Sequence, residues 1–169
     1  MTPDITPEFS RPFRAHEVGS HTRQQMIEAE PHERAALADR FFLLDLDRLT
    51  AAIELRREAI GIRVTGQVHA SGNQPCALSG EPVPFLITEK LKLLLVPGIP
   101  EGTEIELAEP DLDAEPLLGD IIDMGEIAAQ ALALALDPYP RAKGVKVPGV
   151  ITEEEARAAS SPFAGLKKD

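Results

Sequence analysis

A chain with one cysteine, one tyrosine, six phenylalanines and no tryptophan is short of the residues that carry many kinds of chemistry. Cys76 alone forms no internal disulfide and excludes a cysteine-rich zinc site, which fits a reducing compartment. So few aromatic rings require an aliphatic core and leave little with which to stack the bases of single-stranded nucleic acid. No apolar run approaches the roughly 20 residues of a membrane helix. The opening Met1, Thr2, Pro3, Asp4 begins no basic-then-apolar leader, so a cytoplasmic protein with no membrane contact is expected. A Gly-rich phosphate cradle, an internal repeat and an alternating βαβ pattern are also missing, which argues against a doubly wound parallel sheet.

What remains is ordinary globular material. The 169 residues suit one domain, and 43% hydrophobic with 27% charged residues excludes a disordered or fibrous chain. The net charge of −11 is concentrated. Glu101, Glu104, Glu106, Glu109, Asp111, Asp113, Glu115, Asp120, Asp123 and Glu126 form a stretch without Lys or Arg. Removing those ten from the 28 acids leaves 18 against 17 bases, a nearly neutral body with one acidic segment. Such a segment repels phosphate backbones and attracts basic proteins.

The hydrophobic pattern predicts an α+β domain over 8–141, with a mainly antiparallel sheet of about five to six strands and two main helices. Residues 1–7 read as a disordered N-terminus and 142–169 as a flexible tail, with a short helix near Thr152 to Ala159. Phe9 to Phe13 alternates like an edge strand on which another chain could pair, and Pro31 opens a helix over 31–43. Ile53 and Leu55, then Ile62 to His69, predict two antiparallel strands. Ser71 to Gly80 is rich in turn formers and is expected to be loop-like. Val83, Phe85, Ile87, Leu91, Leu93 and Leu95 then face one way and Thr88, Lys90 and Lys92 the other, the pattern of a long half-buried strand. Glu104 to Leu107 suggests a short strand, with Pro110, Pro116 and Gly119 breaking the remainder. Asp123 followed by Glu126 resembles a capping box for a helix over 124–136, apolar nearly all round and therefore expected to be buried, which Pro138 and Pro140 stop.

Few residues suggest catalysis. Cys76 and His69 are the one conceivable nucleophile and base, but no local oxyanion hole or orienting acid accompanies them. His16, His21 and His32 are spaced by five and eleven residues, unlike the close pairs of a zinc site, and read as surface histidines. Asp45 with Asp47, and Asp111 with Asp113, lack the periodic ligands of a calcium loop and read as solvated turns. No metal or cofactor is expected.

Three segments taken together resemble the YceD family, the large ribosomal RNA subunit accumulation proteins. They are Val64 to Val68; Gln74 and Cys76 leading to Gly80, Glu81, Pro82 and Val83; and Ile122, Asp123, Met124, Gly125, Glu126 through Asp137, Pro138, Tyr139, Pro140 and Arg141. The order holds across about 80% of the chain and includes Leu43 to Leu46. Many family members carry a Cys-x-x-Cys pair in the turn, whereas Cys76, Ala77, Leu78, Ser79 keeps only the first, as in the branch found in alphaproteobacteria. The resemblance implies a non-enzymatic cytoplasmic factor for 23S rRNA accumulation and large-subunit assembly. Its partner is then a basic ribosomal protein, held by Glu101, Glu104, Glu106, Glu109, Asp111, Asp113 and Glu115, or large-subunit rRNA, held by Arg56, Arg57, Arg63, Lys90 and Lys92. DNA is not an expected partner. The alternative from another class is a small RNA- or nucleotide-processing enzyme using Cys76 and His69.

Overall fold

The computed structural model describes residues 7–98 and 113–145. Its elements run β1 (Pro12–Arg14), a single 3-10 turn (Ala15–Glu17), β2 (Arg23–Glu28), α1 (Pro31–Arg40), β3 (Asp45–Arg57), β4 (Ile62–Pro75), β5 (Pro82–Pro97), β6 (Asp113–Leu117), β7 (Ile121–Asp123) and α2 (Met124–Ala135). Five strands form one sheet in the order β2-β3-β4-β5-β6, and β1 pairs with β7 in a separate two-stranded sheet. Pairing in the large sheet is antiparallel except for β5 with β6, which is parallel. The molecule is thus an α+β domain with a mainly antiparallel sheet and two helices.

The period of two in β3, β4 and β5 sends Leu49, Ile53, Leu55, Val64, Val68, Leu91 and Leu93 to one face, where they are buried with Leu37 of α1 and Ala128 and Leu132 of α2. The opposite face is exposed over much of its area, with Met26 and Leu86 largely exposed, although Thr50 and Leu94 are buried there. The alternation expected in β5 holds. Lys90 and Lys92 point away from the core and are exposed, while Leu91 and Leu93 are buried.

Several expectations are corrected. The turn-former-rich segment from Ser71 is not a loop: β4 continues in register with β5 to Pro75, and the chain reverses only over 76–81. Gly72 serves the sheet there, because a Cβ at that position would lie 2.4 Å from the Asp45 carbonyl oxygen. Helix α1 stops at Arg40 rather than 43, since Phe42 adopts a left-handed φ of 55° that swings the chain into β3. The Phe9 to Phe13 strand is Pro12–Arg14, and one of its two edges pairs with β7. Pro116 does not break the chain but sits in the edge strand β6, where a missing N–H is tolerated. Helix α2 is buried on one side only, since Leu134 is 88% exposed. The short strand expected at Glu104 to Leu107 and the helix near Thr152 to Ala159 lie outside the described residues.

The N-terminal strand is held by ionic and polar contacts to both helices. Arg11 donates to the two Glu33 carboxylate oxygens at 2.7 and 2.9 Å, and Glu33 also accepts the Glu30 N–H at 2.8 Å, closing the first turn of α1. The Arg11 hydrogen bond holds the Glu33 carboxyl below its ordinary 4.5. Its folded value is lower than its unfolded one, so this stabilisation is complete above about 4.5 and is lost as pH falls through the folded value. Arg11→Ala is expected to cost about 2 kcal/mol at pH 7, less than a fully buried pair because the Arg11 side chain is 30% exposed. Urea titration checks the loss, and the variant is expected to show a shallower acid limb below pH 4.5 than the wild type.

Candidate partner-binding site

The structure divides the acidic segment. Glu101, Glu104, Glu106, Glu109 and Asp111 lie outside the described residues. Three of the others have internal partners. Asp120 accepts the His16 backbone N–H at 3.1 Å and pairs with its Nδ1, a contact that lowers the Asp120 carboxyl from its ordinary range. Asp123 caps α2 through the Gly125 and Glu126 N–H groups at 3.0 and 3.2 Å. Glu126 does not complete a capping box. It accepts two bonds from Arg40 at 2.9 and 2.7 Å, and Arg40 also reaches Glu8 at 2.9 Å, which raises the guanidinium's already high pKa.

Asp113 and Glu115 remain, and β6 sets them beside Leu93 and Leu95 on the core side of β5. Here β5, β6 and α2 enclose a groove of about 330 Å³. Its apolar walls come from Leu91, Leu93, Ile127, Ala131 and Leu134, and Glu89, Asp113 and Glu115 stand at its edge, with Lys90 and Lys92 of β5 also contributing to the lining. None of these three carboxylates has a hydrogen-bond or ion-pair partner among the described residues. Sequence reasoning missed Glu89, Ile127 and Leu134 as part of this site. The odd-numbered phase of β5 is the signal that places Glu89 on the helix side.

The basic candidates do not converge. Arg57 donates to the Val18 carbonyl at 2.8 Å and to that of Ala15, tying the 3-10 turn to β3. Arg63 binds Glu58 at 2.6 Å and thereby lowers the Glu58 carboxyl's pKa. Arg56, Lys90 and Lys92 are exposed on the open sheet face, where Thr65 lies between Glu54 and Lys92 in the pairing register. Among the described strands of the large sheet, Phe85 is the single Phe, Tyr or Trp and it packs against the core, which leaves the His69 imidazole as the ring on the open face.

The conceivable catalytic pair is separated. His69 shares a 3.1 Å hydrogen bond with Thr88 on the open face, while Cys76 is buried beyond the end of the same strand. Seven residues of extended chain place them roughly 20 Å apart. Instead, Cys76 belongs to a corner that unites the remaining family-motif residues. Gln74 donates to the Asp137 carbonyl at 2.9 Å, and the Ala77 N–H donates to the Pro140 carbonyl at 2.8 Å. The Cys76 N–H donates to the Glu81 carbonyl at 2.8 Å, Pro82 pairs with Pro75 at the start of β5, and Arg141 is exposed beside the corner. The Ala142 N–H reaches Cys76 Sγ at 3.3 Å. That bond, followed by the Ser79 hydroxyl and the Leu78 and Ser79 N–H groups, lowers the thiol from 9.0 to about 6 and outweighs burial. The stabilisation is therefore complete above about 9 and is lost as pH falls through about 6. Thiolate absorbance in the ultraviolet is expected to titrate near pH 6 in the folded protein and near 9 in urea, with no step in Cys76→Ser. A folded-state midpoint at 8 or above would refute this assignment.

Asp123, Gly125 and Glu126 from the last motif join the N-terminal clamp rather than the groove. Gly125 lets the Phe9 carbonyl pass so closely that a Cβ would lie 1.9 Å from its oxygen.

Residues 64–168 match the model of a family described as Large ribosomal RNA subunit accumulation protein YceD. No curated protein and no solved structure gives a match. Among the described residues, no helix is long and apolar enough to cross a membrane.

Proposed function

The chain belongs to the YceD family of large ribosomal RNA subunit accumulation proteins, and on that premise we propose that it is a non-enzymatic cytoplasmic factor that holds a basic protein of the large ribosomal subunit. The observation that carries this reading is the groove between α2, β5 and β6, where apolar walls meet three carboxylates that have no partner among the described residues. Carboxylates at the edge of an apolar groove favour a cationic segment with an aliphatic component, and they repel a phosphate backbone. Covering a basic protein in this way shields charge that otherwise binds nucleic acid indiscriminately before assembly. The engagement of Arg57 and Arg63 supports a protein partner over direct RNA contact.

Crosslinking and recovery of the protein from growing cells, with bound RNA sequenced and bound proteins identified together, tests the reading. A basic large-subunit protein is expected, and its yield should fall at least about tenfold in the triple variant Glu89→Gln, Asp113→Asn, Glu115→Gln, given one to two kcal/mol for the combined charges. Recovery of large-subunit rRNA alone, lost with Arg56→Ala, Lys90→Ala and Lys92→Ala, would transfer the function to the open sheet face. Recovery of neither, from cells with normal rRNA, would refute it.

A further inference from the structure

β5 is paired on both sides for only part of its length. It is in register with β4 from Pro82 to Leu95, but with β6 only from Leu93 to Pro97. On the β6 side, the backbone from Val83 to Lys92 therefore has no strand partner among the described residues. Along such an edge, every second residue presents its N–H and C=O outward. Pro82 and Pro84 occupy its beginning, where edge strands tolerate proline, while residues 85–92 contain none and retain their amides. This edge is continuous with the acidic groove, since Glu89 and Leu91 lie on the same stretch of β5 and Asp113 opens the strand that ends the gap.

We infer that the groove is filled by strand addition: an extended Lys- or Arg-bearing segment of the partner pairs with β5 over residues 85–92, in line with β6. This rests on the preceding reading that the partner is a basic protein. The period of two explains how backbone pairing and charge recognition work together. Side chains on one face of the added strand point between α2 and the sheet, where their aliphatic stems meet Leu91 and Leu134 and their cationic ends meet Glu89, Asp113 and Glu115. A helix is a poor fit, because its diameter of about 10 Å exceeds the ~5 Å spacing of a strand position and leaves the edge amides unpaired. The free edge accommodates roughly eight residues of partner, about 25 Å of chain.

Amide hydrogen exchange of the full chain, alone and with a capped eight-residue peptide of alternating Lys and Val, tests the inference. Alternate amides within 85–92 are expected to exchange at least about tenfold more slowly with saturating peptide, as open-edge groups become paired. The triple acid-to-amide variant is expected to bind the peptide about tenfold more weakly. Binding without slowed exchange at 85–92, or with protection instead at β2 or β6, the outer strands of the sheet, would overturn strand addition. Failure of the peptide to bind, in a protein that still recovers a basic ribosomal protein from cells, would overturn strand addition and leave the proposed function standing. Failure of both would remove the proposed function as well.

Discussion

Asp123→Ala is expected to lower the free energy of unfolding by about 3 kcal/mol and the melting midpoint by roughly 10 °C. The carboxylate joins two parts of the chain more than a hundred residues apart. Its Oδ1 accepts the Arg11, Gly125 and Glu126 N–H groups at 2.8, 3.0 and 3.2 Å, and its Oδ2 accepts the Ser10 hydroxyl at 2.5 Å. Alanine removes the cap of α2 and leaves the Arg11 N–H unpaired beside β7, so the cost exceeds the ~1 kcal/mol of a helix cap alone. Phe9, fully buried, is carried into the core by this same segment. Asp123→Asn separates geometry from charge. Its single carbonyl oxygen serves all three backbone donors and its amide reaches Ser10, so a loss of only about 1 kcal/mol is expected. Equal losses for Ala and Asn in urea titrations would show that charge near the helix N-terminus, rather than the shared acceptor, makes Asp123 matter.

The long β5 strand was legible because alternation depends only on adjacent residues: Lys90 and Lys92 alternating with Leu91 and Leu93 fix both the element and its faces. The order of the Gln74, Asp123 and Pro138 motifs was legible as a family pattern for the same reason, since order is a property of the chain itself. Roles that depend on distant partners were not. Arg57 resembles any exposed arginine until its carbonyl acceptor is found 39 residues away, and Glu126 mimics a capping box until Arg40, 86 residues away, claims its carboxylate. The groove was half legible. The charge map found Asp113 and Glu115, but Glu89 precedes the acidic segment, and only the β5–β6 register brings the strands together. Glycine misled most, because residue type reveals permissiveness without saying whether it serves a turn or a close approach. Gly80 turns with φ 74°, whereas Gly72 lies inside a strand.

That distinction yields the second large effect, at Gly66. This residue faces the core side of β4, pairs with Ile53 and Leu91, and is crossed so closely by β3 that a Cβ would sit 2.2 Å from the Ala52 carbonyl oxygen and 3.1 Å from the Ile53 Cα. Both obstacles are backbone atoms, so Gly66→Ala displaces β3 or β4 rather than rotating a side chain aside. The strands concerned carry Val64, Val68, Ile53 and Leu55, all fully buried, and a displacement there opens the core on both sides of the new methyl. The expected cost is about 3 kcal/mol, at the upper end of overpacking, again roughly 10 °C in the melting midpoint. Gly19→Ala provides the contrast. Nothing lies within 4 Å of its added Cβ and its φ is not in the left-handed region, so the change should be neutral or stabilise by up to about 1 kcal/mol through a less flexible unfolded chain. A Gly66→Ala protein as stable as the wild type would mean that β3 yields at Ala52 without penalty. If Gly66→Ala is destabilised as expected, the close approach of β3 to β4 fixes the position of β5, and with it the free edge and acidic groove on which partner binding depends.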